Sequence, residues 1–78
     1  MKIPRDLEAS RLISVLQRLG YVIVRQSGSH IRMFHADPPP HHLTVPNHST
    51  LKVGLLQALL KEVAERQGLP LERLVEML

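Results

Sequence analysis

His30 closes a Ser27-Gly28-Ser29 turn, with Arg25 on one side of that turn and Arg32 just beyond it. An imidazole has an ordinary pKa of about 6.5, so near neutral pH it can take or give a proton. Guanidinium forks match the oxygens of a phosphate. A titratable ring among cations therefore suits a phosphate-containing partner, and RNA above all. RNA brings its own nucleophile, because the 2′-hydroxyl is held next to the scissile phosphate and much of the effective-molarity advantage is built in. A protein then has to add a base for that hydroxyl, a proton donor for the leaving 5′-oxygen and cations for the developing charge. Neither a metal nor a serine-type triad is required. In that scheme His30 is the candidate base, and Arg25 and Arg32 are the candidate phosphate clamps. His48, in a later polar linker, is a second acid/base candidate or a plain loop residue. Lys52 is the cation that opens the next helical stretch.

Other chemistries fit less well. Ser29 invites a nucleophile reading, but adjacent strand residues point to opposite faces, so it more naturally shapes the turn. The five histidines raise a metal site, yet they lack helical H-x-x-x-H spacing and no carboxylate accompanies them. There is no cysteine, which removes disulfides and thiolate ligands and makes a reducing cytosol the expected setting. No apolar run approaches the roughly 18 to 20 residues of a membrane span, and no leader-like segment is expected at the front. The formal charge is +3, but its distribution says more. Between Ala9 and Lys61 six basic residues face one acid, Asp37, for a local charge of +5. The remaining acids sit near the two ends. An anionic partner is expected on that central stretch.

At 78 residues the chain is read as one domain, residues 1–78, with an economical core. Aromatics make up only 3%, so the core must be aliphatic. Leu12, Val15, Leu16 and Leu19 follow the spacing of an amphipathic helix, with Asp6 the expected N-cap, Gly20 the expected stop, and Arg11 and Arg18 on the wet side. The period then changes. Residues 21–26 are short and β-branched and predict a strand, and His30 to His35 alternate as a second. The three prolines at 38–40 cannot join a ladder, so they mark a loop before a third strand over 41–46. Asn47 to Thr50 form a polar linker whose last members are expected to cap a helix. Leu56, Leu59, Leu60 and Val63 give that helix its apolar stripe, and Gly68-Leu69-Pro70 ends it. Leu71, Leu74, Val75 and Leu78 predict a short final helix beginning near Pro70. The expected class is α+β, an α-β-β-β-α order with a three-stranded antiparallel sheet, one sheet face on helices and one open.

The series Gly20-Tyr21, Arg25-Gln26-x-Gly28-Ser29-His30, Phe34-His35, Val45-Pro46 and Leu51-Lys52-x-Gly54 resembles the HicA (YcfA-like) toxins of toxin–antitoxin pairs. The similarity runs from about Leu12 to Leu60. It implies a double-stranded-RNA-binding-domain-like fold, the order that periodicity gives independently. It also implies metal-independent cleavage of mRNA that stops translation, held in check by a HicB-type antitoxin; a cytoplasmic setting and no cofactor are expected. The histidine that this family needs for activity carries over to His30, and Gly28 and Ser29 carry over as motif positions. Two departures bear on the second helix: Val53-Gly54-Leu55 stands where the family usually has Pro-Gly-Thr, and the helix runs about one turn longer, bringing Glu62 and Glu65.

Two non-enzymatic readings compete. The first is a module of the same fold that only holds double-stranded RNA, read by shape, 2′-OH and phosphate. It would want a lysine-rich start to the second helix, where this chain has little beyond Lys52. The second is a protein-docking module using the open sheet face, which is compatible with an antitoxin lying over His30. A sequence-reading RNA-recognition motif is poorly served, since Tyr21 and Phe34 are the only aromatics that could stack bases.

Overall fold

The computed structural model describes residues 2–78. Its elements run α1 (Ala9–Arg18), β1 (Val22–Ser27), β2 (His30–His35), β3 (His41–Pro46), α2 (Val53–Gln67) and α3 (Leu71–Met77). The strands form one antiparallel sheet in the order β1-β2-β3. This is the double-stranded-RNA-binding-domain-like α-β-β-β-α order with a short helix appended. No described helix is long and apolar enough to cross a membrane.

α1 buries Leu12, Ile13, Val15 and Leu16 and leaves Arg11 and Arg18 exposed. It does not begin as expected. Glu8, not Asp6, occupies the N-cap position, and no side chain caps the helix. Asp6 instead takes a left-handed φ of 54°, and Leu7 pairs with Leu51 in an isolated bridge. The segment before α1 is thus committed to the linker before α2. The end of α1 follows chemistry the sequence does show. Gly20 has φ 105°, its N–H donates to the Gln17 carbonyl, and the Tyr21 N–H donates to Leu16. That is a Schellman stop, which favours glycine because of the positive φ. It also moves Tyr21 out of the first strand, where periodicity had placed it, and turns it into the core at 1% exposure.

Between β1 and β2 the loop is Gly28-Ser29, since Ser27 pairs with His30. Only Gly28 of the two has a positive φ, as in a type II′ hairpin turn. Strand alternation then splits β2 cleanly. Ile31, Met33 and His35 are buried against the helices, and His30 and Arg32 are exposed on the other side. β3 does the same with His41, Leu43 and Val45 inward and His42 and Thr44 outward. β1 is exposed along its whole length, and a bulge between Ile23 and Arg25 interrupts its alternation.

The core is one cluster, aliphatic but for Tyr21, joining α1, β2, β3, α2 and Leu74 of α3. Leu56, Leu59, Leu60 and Val63 supply the α2 stripe. Truncating a side chain such as Leu56, fully buried, should cost ~2–5 kcal/mol. α2 lacks the cap expected from Ser49 or Thr50. Lys52 holds the N-cap position, no side chain bonds there, and the preceding Leu51 is buried in the bridge to Leu7. Gly68, at φ 65°, ends α2 in a left-handed cap, and Pro70 precedes α3.

Candidate active site on the open sheet face

The face of the sheet away from the helices is built in cross-strand rows. At the hairpin end Ser27, His30 and Pro46 lie side by side. The next row is Arg25, Arg32 and Thr44, and the one beyond it Val22, Phe34 and His42. Successive outward residues of one strand are about 6–7 Å apart, so His30, Arg32 and Phe34 form a line down the central strand. Arg25, Ser27, His30, Arg32 and Thr44 surround a shallow depression of about 270 Å³.

Electrostatics sets this depression apart. Arg25 and Arg32 are directly opposite each other across β1 and β2. Like charges in that arrangement are unfavourable, by roughly 0.2–1 kcal/mol. No carboxylate relieves them: the ion pair recorded among the described residues is His41 with Glu62, on the other side of the sheet. A pair of guanidiniums left in this way, one row from an exposed imidazole, has the chemistry to take an anion. The described residues contain no group of three or more His, Asp or Glu side chains arranged to hold a metal ion.

The HicA toxin of bacterial toxin–antitoxin systems is the family whose sequence model matches, over residues 9–64. That span runs from the first residue of α1 into α2 and contains the whole sheet. The chain belongs to the HicA toxin family. No curated protein and no solved structure matches it. As a member of a toxin–antitoxin family, this HicA-family chain has an antitoxin as its expected counterpart.

Of the candidate residues named from the sequence, Arg25, His30 and Arg32 come together around the depression. Gly28 and Ser29 form the turn behind it. The Ser29 carbonyl accepts from Asn47 N–H at 2.6 Å, tying the hairpin tip to the segment that follows β3. His48 and Lys52 lie further along that segment and do not line the depression. Its other two walls, Ser27 and Thr44, escaped the sequence reading. Counting outward from the turn in steps of two reaches Ser27, but Thr44 requires the β2–β3 register.

The helix-facing side of the sheet holds a second group of polar residues that the sequence did not announce. His41, 4% exposed, has Nε2 2.6 Å from Glu62 Oε2 and Nδ1 2.5 Å from the Tyr21 hydroxyl. A carboxylate can only accept, so in the neutral ring Nε2–H donates to Glu62 and Nδ1 accepts from Tyr21. Gln67 donates to the same hydroxyl at 3.5 Å. Burial pushes the Tyr21 phenol above its ordinary 10.0 and Glu62 adds to the rise, while Gln67 and Arg66 oppose it. His35 packs on Tyr21 with ring centroids 4.9 Å apart, and its Nε2–H donates to the Leu19 carbonyl at 3.1 Å. Glu62 is therefore engaged with β3. Tyr21 is part of this buried group and offers no ring to a nucleobase.

Proposed function

We propose that this HicA-family chain is an endoribonuclease that cuts mRNA by 2′-hydroxyl attack, with His30 as the base. The observation that carries the reading is His30, exposed, sharing one depression with a cross-strand arginine pair that no carboxylate neutralises. A phosphodiester seated on Arg25 and Arg32 lies one row from His30, and a strand running with its 2′-hydroxyl toward the hairpin end meets the imidazole. The imidazole takes the 2′-hydroxyl proton, and the 2′-oxygen forms a bond to phosphorus. The bond from phosphorus to the 5′-oxygen breaks, and that oxygen takes a proton. It leaves on the side opposite the attack and takes its proton from water, since no second imidazole lines the depression. The products are a 2′,3′-cyclic phosphate and a 5′-hydroxyl. Arg25 and Arg32 stabilise charge on the phosphoryl oxygens throughout. The 2′-hydroxyl route uses no metal, so cleavage should persist in chelator.

The same surface is where a HicB-type antitoxin would act by occlusion. An acidic partner is steered toward a positive field at a rate that falls with salt. Reversing both Arg25 and Arg32 to Glu should weaken RNA cleavage and antitoxin association together, the latter mainly in the association rate and most at low salt.

Growth on induction tests the enzymatic reading. Wild type should arrest growth and degrade RNA, and His30→Ala, at matched expression, should do neither. Equal toxicity of the two proteins would sink it. A pure duplex-binding module would keep its RNA affinity in His30→Ala and show no cleavage in either form.

A further inference from the structure

The third row of the open face has no part in phosphate binding or proton transfer, yet it is chemically distinct. Phe34 and His42 are directly opposite across β2 and β3, with ring centroids 4.6 Å apart and planes inclined by 35°. Phe34 is half-buried and His42 is exposed. Val22, opposite Phe34 on the other side, is 53% exposed. This is a small apolar and aromatic platform at one end of a basic face. The arginine pair lies between it and His30. Its spacing from the arginine row, about 6–7 Å, is one step of alternation along β2.

We propose that Phe34 and His42 form a nucleobase-stacking subsite for single-stranded RNA next to the bond that is cut. The proposal rests on the ribonuclease reading and deepens it by naming the substrate class. Three observations support it. Phe and His rings are side chains on which unstacked RNA bases are held. The platform continues the line from imidazole to guanidinium, so a strand with a phosphate on Arg25 and Arg32 reaches it with the base of a flanking nucleotide. The residues facing outward in all three rows include no acid, which suits a polyanion along its length. A base can lie on this platform only if it is splayed out of any helix. The site therefore selects loops and single strands, whereas a module reading duplex shape would take continuous double-stranded RNA.

The test uses short RNAs on the purified full-length chain. Binding is measured with a 2′-O-methyl oligonucleotide, which cannot be cleaved by 2′-hydroxyl attack, so it stands apart from catalysis. The variants are Phe34→Leu, which keeps an apolar side chain, Phe34→Tyr, which keeps a ring, and His42→Ala. Unfolding midpoints check that each is folded. Single-stranded RNA should bind wild type about tenfold more tightly than Phe34→Leu, and Phe34→Tyr should restore most of that loss. Removing one base beside the cleavage position should weaken wild type by a similar factor and should have little further effect in Phe34→Leu. In cleavage assays the loss should fall on KM, with His42→Ala showing a smaller loss of the same kind. Abasic substitution affecting wild type and Phe34→Leu equally would overturn the subsite. So would duplex RNA bound and cut as well as the single strand, or variants that bind RNA normally and lose only antitoxin. A wild type that binds RNA through Phe34 but never cuts it would instead overturn the ribonuclease reading and leave the stacking site standing.

Discussion

Two strands supply histidines to both faces of one sheet, and the two faces make different residues of them. From β2 and β3, His35 and His41 turn inward, while His30 and His42 turn outward. The inward pair is packed on Tyr21, hydrogen-bonded to a backbone carbonyl or a carboxylate, and held in one tautomer. Their rings do the work of buried polar spacers, fixing β2 to the end of α1 and β3 to α2. The outward pair stands in the solvent, one beside arginines and one against Phe34. Only on that face can a ring exchange protons with a substrate. The lesson concerns period rather than residue type: His41 and His42 are adjacent, and one step along the strand separates a structural imidazole from an accessible one.

This contrast can be broken from either side. His30→Ala should lower the RNA cleavage rate by roughly two to four orders of magnitude, the usual contribution of a positioned acid or base. Its unfolding free energy in urea should stay within about 0.5 kcal/mol of wild type, because an exposed ring at a strand end packs little. His41→Ala should do the converse. It leaves the Tyr21 O–H without its acceptor and Glu62 without its donor and opens a void, which should cost ~3 kcal/mol of stability in urea unfolding. Whatever folded protein remains should cut RNA with a near-normal rate. A stable His41→Ala protein with no activity would mean that the inward network, not the outward face, does the chemistry.

A smaller effect comes from Tyr21 itself. Its folded-state pKa lies above the unfolded value of 10.0, so the fold holds the phenolic proton more tightly than the unfolded chain does. The resulting contribution is fully present below 10.0 and is lost as pH rises through the folded value. Phenolate absorbance should therefore appear later in native protein than in protein unfolded by denaturant. Tyr21→Phe, which deletes that hydroxyl and its bonds to His41 and Gln67, should cost ~1 kcal/mol. An ionisation curve identical in native and denatured protein would show that the hydroxyl is not held as described.

Much of this was legible in the sequence, and what was missed has physical causes. The bounds of β2 and β3 follow from alternation framed by a glycine turn and by prolines, so His30 and Arg32 could be assigned to one face from spacing alone. β1 is different. The Schellman stop at Gly20 uses the Tyr21 N–H, and the bulge after Ile23 shifts the alternation, so neither end nor facing could be read locally. The Tyr21–His41–Glu62 group joins residues 20 and 21 positions apart through helix packing, which no local period encodes. The same holds for Thr44, which reaches the depression only through its register with Arg32. Asp6 has the type of a cap, but it takes a left-handed φ beside the bridge between Leu7 and Leu51, a pairing 44 positions apart that no local signal encodes.

The chemistry of the RNA ends tests the central claim most directly. An oligoribonucleotide is incubated in chelator with purified wild type and with His30→Ala, and the new termini are identified. The account predicts 2′,3′-cyclic phosphate or its hydrolysis product paired with a 5′-hydroxyl from wild type, and intact RNA from the variant. A 5′-phosphate product, or the same cut made by His30→Ala, would contradict it.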